Sequence, residues 1–142
     1  MNVVVDASVA GKWFLPEPHS DEAERLLLLG HMLLAPDIVY AEVTHAILKS
    51  IRGSKAVRGS VDTIATVMTR AVRPYPTGPI VGEALAMAIE TGRGSVYDTL
   101  YVIVAGRLAA PLVTSDRNQM EIARAAKVDA IQLGVDELPK GP

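Results

Sequence analysis

The sequence predicts an α/β fold in which a parallel sheet is covered by helices on both faces. Short apolar runs recur along its 142 residues, segments with helical periodicity and helix stop signals separate them, and two of the runs end in an aspartate. Ligands of such sheets bind beyond the carboxyl ends of the strands, so the acids at those ends are expected on one edge of the molecule.

In chain order, Val3 to Asp6 reads as a strand ending in an acid, and Ala7 to Phe14 as a short helix punctuated by Pro16 and Pro18. Ser20 is a suitable N-cap for a helix running to Leu29, with Asp21, Glu22 and Glu24 near its positive end and Gly30 at its stop. Met32 to Ala35 is a second strand. Pro36-Asp37 opens a helix running to about Arg52, on whose apolar side Val39, Val43, Ala46 and Ile47 surround Glu42. A helix fits Val57 to Ala71, and Val72 to Tyr75 fits a third strand. Pro79 stands at the start of a helix ending near Glu90, with Gly92 beyond it. The helix at 96–108 has apolar residues at 97, 100, 101, 104, 105 and 108, and its middle is apolar all round, so it should run through the interior. Leu112 to Thr114 is a fourth strand leading into Ser115-Asp116, Arg117 to Lys127 is a helix, and Ala130 to Leu133 is a last strand.

Composition narrows the options. The length suits a single domain over residues 1–142, with a core built from Leu, Val, Ile and Ala, since 4% of residues are aromatic. Without cysteine there are no disulfides or thiolate metal sites, and a reducing cytoplasm is the natural compartment. The opening residues carry no basic signal region, and no apolar run approaches the ~18 residues of a membrane span. The net charge of −2 is uneven: residues 43–82 carry +5 and the remainder −7. That asymmetry suits an acidic site beside a phosphate-facing surface, although a solvated helical face would also produce it.

Four acids stand out. Asp6 and Asp116 follow strands, Asp98 begins the buried helix three residues after Ser95, and Glu42 lies on an apolar helix side. Asp6 and Asp116 also fit N-caps, and Ser95 with Asp98 has capping-box spacing; Glu42 has no such local role, and buried acids are rare unless paired or metal-bound. Carboxylates crowded to ~5 Å repel by about 3 kcal/mol per pair at an effective dielectric near 20, a cost that a bound cation removes. Oxygen-only ligands suit Mg²⁺ or Mn²⁺.

The four surrounding blocks together carry a resemblance. Val3-Val-Val-Asp6-Ala-Ser8-Val-Ala-Gly-Lys-Trp13-Phe-Leu-Pro16-Glu is similar to the opening of PIN-domain ribonucleases of the VapC toxin type. Leu34-Ala-Pro-Asp-Ile-Val-Tyr-Ala-Glu42-Val, Val96-Tyr-Asp98-Thr-Leu-Tyr101 and Pro111-Leu-Val-Thr114-Ser-Asp116-Arg resemble that family's later blocks, in order across the chain. The resemblance implies a PIN-like three-layer α/β/α fold with about five parallel strands in the order 3-2-1-4-5. It implies a Mg²⁺/Mn²⁺ site made of Asp6, Glu42, Asp98 and Asp116, with Ser8 and Thr114 holding carboxylates. The implied activity is metal-dependent hydrolysis of RNA phosphodiester bonds by the toxin of a toxin–antitoxin module. A homodimer and a cognate VapB-type antitoxin would be its partners.

Lys12, Lys49, Arg52 and Arg93 are the candidate phosphate contacts, and Trp13, Phe14 and Leu15 the candidate partner-facing patch, unless these three are ordinary core. His45 replaces an Asn common in relatives, and Asn118 stands where some carry a further acid. A PIN nuclease acting on DNA and a non-catalytic PIN module are the alternatives. A response-regulator receiver is excluded because Asp6 stands alone and the third strand ends in Tyr75-Pro76. A haloacid-dehalogenase-type phosphatase is excluded because Asp6-Ala-Ser8 lacks its second acid.

Overall fold

The computed structural model describes all residues 1–142. Five strands, β1 (Asn2–Val5), β2 (Met32–Pro36), β3 (Val72–Tyr75), β4 (Leu112–Thr114) and β5 (Ala130–Gln132), form one sheet in the order β3-β2-β1-β4-β5. Every pairing is parallel; Val4 lies opposite both Leu34 and Leu112, which makes β1 the centre of the sheet. Helices flank it on both sides: α1 (Ala7–Ala10), α2 (Ser20–Leu28), α3 (Val39–Arg52), α4 (Val61–Ala71), α5 (Val81–Thr91), α6 (Val96–Leu108) and α7 (Arg117–Ala125). The three-layer architecture and the strand order are those the resemblance implies.

The apolar strands explain this arrangement. Val3, Val4 and Val5 are all fully buried, so β1 needs cover above and below. Helix α6 supplies part of that cover, packing on β1, β2 and β4 as well as on α5 and α7. Its residues Leu100, Tyr101, Val102, Val104 and Ala105 are buried, and Thr99 Oγ1 donates to the Ala84 carbonyl at 2.7 Å, binding α6 to α5. Tyr97 departs from the expected apolar face and is exposed, because it sits in the first turn beyond the covering elements.

Helix starts differ from the sequence reading where local bonds decide them. Ser20 is not an N-cap: its Oγ accepts from Glu17 N and donates to the Leu15 carbonyl, both at 2.9 Å, while His19 takes the cap position in the left-handed region at φ 68°. Helix α4 begins at Val61 rather than Val57 because Ser60 Oγ accepts from Thr63 N at 3.2 Å. Pro36 completes β2, so α3 starts three residues later, and Pro79 falls in a 3₁₀ turn (Gly78–Ile80) ahead of α5. Trp13, Phe14 and Leu15 join the core, and Trp13 Nε1 donates to the Ala23 carbonyl at 2.9 Å.

Two leucines on α2 test the burial pattern. Leu26 is fully buried and Leu28 is 82% exposed. In urea unfolding, Leu26→Ala is expected to cost about 2–5 kcal/mol, whereas Leu28→Ala should stay within about 0.5 kcal/mol of the parent.

Candidate active site

Backbone hydrogen bonding sets the position of the first acid. The chain leaves β1 at Asp6, whose N–H donates to the Val113 carbonyl of β4 at 3.0 Å, and Asp6 then caps α1 by accepting from Ser8 N at 3.0 Å. Strand direction places the last acid on the same edge: Asp116 follows β4 by two residues and caps α7 through Oδ1, which accepts from Asn118 N at 2.8 Å and Gln119 N at 3.4 Å. Asp98 enters from α6. It completes a capping box in which its N–H donates to Ser95 Oγ at 3.2 Å and its Oδ2 accepts from Ser95 N at 3.0 Å. Glu42 enters from the first turn of α3 and accepts from Tyr101 Oη at 2.8 Å.

The caps read from the sequence at Asp6, Asp98 and Asp116 are therefore present. Asp6, Glu42 and Asp98 are also close enough to feel one another. Burial pushes the Asp6 carboxyl above the ordinary carboxylate range and the Asp98 charge adds to this, while hydrogen bonds from Ser8 and Gln119 oppose it. Burial likewise raises Glu42, with Asp6 and Asp98 repelling its charge and the Tyr101 hydroxyl opposing the shift. The Tyr101 hydroxyl is pushed far up by its own burial and by the neighbouring acids, so it stays a neutral donor. Asp116 stands further out, joined to this group through Thr114, whose Oγ1 accepts from Asp116 N at 3.0 Å and donates to Asp6 Oδ2 at 3.4 Å. As they stand, no three His, Asp or Glu side chains are gathered closely enough to hold a metal ion together. Asp98, Asp116 and Glu42 are each turned to a hydrogen-bond donor on their own or a neighbouring helix.

The donors share one property: they are neutral. Ser8, Thr114, Gln119, Tyr101 and the helix N-termini hold the carboxylates, and none of the four acids takes part in an ion pair with lysine, arginine or histidine. Of the two hydroxyl residues, Thr114 donates to the Asp6 carboxylate through Oγ1 at 3.4 Å, and Ser8 through its backbone N–H at 3.0 Å. Ser8 Oγ accepts from Ser115 N at 3.0 Å and lies 3.5 Å from Thr114 Oγ1, tying α1 to the end of β4.

Two site residues escape sequence reasoning. Tyr101 lies one turn beyond Asp98, where an apolar pattern hides a hydroxyl. Gln119 is fully buried on the inner face of α7 with Ile122 and Ala123; its Nε2 donates to Asp6 Oδ1 at 3.2 Å and to the Asp98 carbonyl at 3.3 Å. The signal for Gln119 was its spacing, three and four residues before two apolar positions. Gly94 is a third contributor. It holds a φ of +73°, and a Cβ there would stand 3.0 Å from Asp98 Oδ2 and 2.8 Å from Ile122 Cδ1.

The candidate basic residues divide. Lys12 is buried and donates to Glu17 Oε2 at 3.2 Å, and Arg93 is ion-paired with Glu121. Lys49 and Arg52 are exposed and take part in no ion pair. A cleft lined by Ser8, Lys12, Ser115 and Asp116 shares Leu15, Glu17 and Ala46 with a groove that continues to Lys49 and Lys55. Trp13 and Phe14, though buried, contribute to a separate apolar groove with Leu27, Leu28 and Val67.

The raised carboxyls carry a pH signature. A carboxyl whose folded pKa exceeds its unfolded one holds its proton longer in the folded state. Its contribution is fully present below the unfolded pKa and is lost as pH rises through the folded pKa. Without divalent cation, the stability of Asp6→Asn relative to the parent is therefore expected to be more favourable at pH 7 than at pH 5. Urea unfolding of both proteins at the two pH values checks this; an equal effect at both would contradict the shift.

Comparison with known proteins places the chain in a family. A family model described as "PIN domain" matches residues 3–126. Ribonuclease VapC3 from Pyrobaculum aerophilum is 27% identical over 124 residues, which cover 85% of this chain and 94% of that protein. The fold is similar to the crystal structure of PAE2754 from the same organism, with a TM-score of 0.66, 23% identity, and coverage of 94% of this chain and 92% of that one. It is also similar to FitAcB from Neisseria gonorrhoeae, with a TM-score of 0.56, 16% identity, and coverage of 93% and 97%. A match over most of the chain, on a sheet of this order with the acids at its carboxyl edge, shows that the protein belongs to the PIN domain family.

Proposed function

We propose that this protein is a divalent-metal-dependent endoribonuclease, the toxin of a VapBC-type module, with Asp6, Glu42, Asp98 and Asp116 as its metal-binding and catalytic acids. The observation that carries this reading is a gathering of acids with no cationic side chain paired to any of them. Three mutually repelling carboxylates stand at the carboxyl edge of the sheet, held by neutral donors only. An all-oxygen donor set of this kind fits Mg²⁺ or Mn²⁺.

A divalent cation bound by these acids would supply an activated water and offset charge on the phosphate. The chain's own residues do the rest. Asp6 is immobilised by Ser8, Thr114 and Gln119, so its carboxylate is ready without rearrangement. Glu42 and Asp98 form the neighbouring walls, and Asp116 lines the adjoining cleft beside Ser8. Lys49 and Lys55 along the groove, and Arg52 exposed at the end of α3, offer cations to backbone phosphates. Lys12 and Arg93 are weaker candidates because Glu17 and Glu121 already pair with them.

RNA as substrate and an antitoxin as partner are supported by the relative named a VapC ribonuclease. The apolar groove walled by Trp13, Phe14, Leu27, Leu28 and Val67 offers such a partner a seat, and Val81, Leu85 and Ile89, exposed along α5, suit a homodimer. No helix is long and apolar enough to cross a membrane, and the lack of cysteine suits the cytoplasm.

Purified protein incubated with RNA and with DNA of matched sequence, with Mg²⁺ or with EDTA, tests the reading. Metal-dependent cleavage of RNA alone is expected, and Asp98→Asn should reduce it at least about 100-fold, on the order of 3 kcal/mol in barrier, while circular dichroism stays unchanged. Full cleavage by a folded Asp98→Asn protein would overturn the site, and preferential cleavage of DNA would overturn the substrate.

A further inference from the structure

Gln119 contacts three of the acidic residues, two through its side chain and one through its backbone. Its Nε2 donates to the Asp6 carboxylate at 3.2 Å and to the Asp98 carbonyl at 3.3 Å, and its backbone N–H is capped by Asp116 Oδ1 at 3.4 Å. One residue of α7 thus ties together the ends of β1, β4 and α6.

The arrangement carries a structural cost that packing alone would not require. The side chain is fully buried, and its Oε1 has no hydrogen-bond partner. Turning the amide over would not mend this. It would set the carbonyl oxygen against two other acceptors, so the bond to Asp6 decides the orientation. A residue needed only for volume would be Leu or Met, which leave no orphaned acceptor. A residue needed only to balance Asp6 would be Lys or Arg, which would cancel the charge that a metal requires. Glutamine alone among these supplies two donors and no charge.

Resting on the reading of the acids as a divalent-cation site, we infer that Gln119 is a positioning residue. Its carboxamide fixes Asp6 against the first turn of α6 without neutralising it, and so sets the affinity of the site for metal.

Gln119→Met, of similar volume but without donors, separates this role from a structural one. It removes the orphaned acceptor together with the donor to Asp6, two opposing effects, so the melting temperature without divalent cation should stay close to that of the parent. Mn²⁺ affinity by isothermal titration calorimetry should fall about tenfold or more, as for other groups that orient metal ligands. RNA cleavage should lose kcat at limiting Mn²⁺ with KM for RNA unchanged, and recover as Mn²⁺ is raised. Gln119→Leu gives the same readouts should the Met variant not fold. Parental Mn²⁺ affinity in a folded variant overturns the role of Gln119 alone, as does a fall in affinity matched by a fall in metal-free melting temperature. Absence of Mn²⁺ binding by the parent protein overturns the metal-site reading and this inference with it.

Discussion

The structure depends on a carboxylate held, almost fully buried, at the end of its central strand. Asp6 is 7% exposed, and it continues a β1 whose Val3, Val4 and Val5 see no solvent. A charge in that position is unfavourable unless hydrogen bonds support it, and the surroundings of the sheet edge supply them. Asp6 caps α1, binds the hydroxyl at the end of β4 and receives the Gln119 amide from α7. Those bonds fix the orientation of the carboxyl group without pairing it to a cationic side chain.

The same economy extends to the other acids. Glu42 leans on a tyrosine hydroxyl, Asp98 on Ser95, and Asp116 on the open N–H groups of α7. Helix N-termini serve twice, since their unpaired N–H groups need acceptors and their dipoles favour negative charge. A buried arginine or lysine would have been the simpler route to stability and would have filled the role of a metal. Cations appear instead along α3 and the loop after it, at Lys49, Arg52 and Lys55, outside the acid cluster. Negative charge gathered at the sheet edge with positive charge beside it is the arrangement expected of a site that holds a cation and draws in a polyanion.

Much of this was legible in the residues because it rests on local rules. Five apolar runs alternating with capped helices were enough to expect a parallel sheet, and the caps at Asp6, Asp98 and Asp116 follow from one or two turns of chain. Glu42 was legible as a misfit, an acid among Val39, Val43 and Ala46. Gln119 and Tyr101 were not, because both look locally like a third helical position and an apolar stripe, and their partners lie 113 and 59 residues away. Ser20 failed for a related reason: its hydroxyl had a better acceptor in the Leu15 carbonyl than the cap position could offer. Lys12 and Arg93 look like free cations in sequence and are spoken for only once Glu17 and Glu121 are placed in space.

The claim that these acids are arranged for a divalent cation is tested most directly by locating the ion. Crystals grown with Mn²⁺ and measured near the manganese edge are expected to show an anomalous peak contacting the carboxylates of Asp6 and Asp98. Saturating Mn²⁺ with no peak there, or with peaks only at surface acids such as Glu83 or Glu121, would contradict the account.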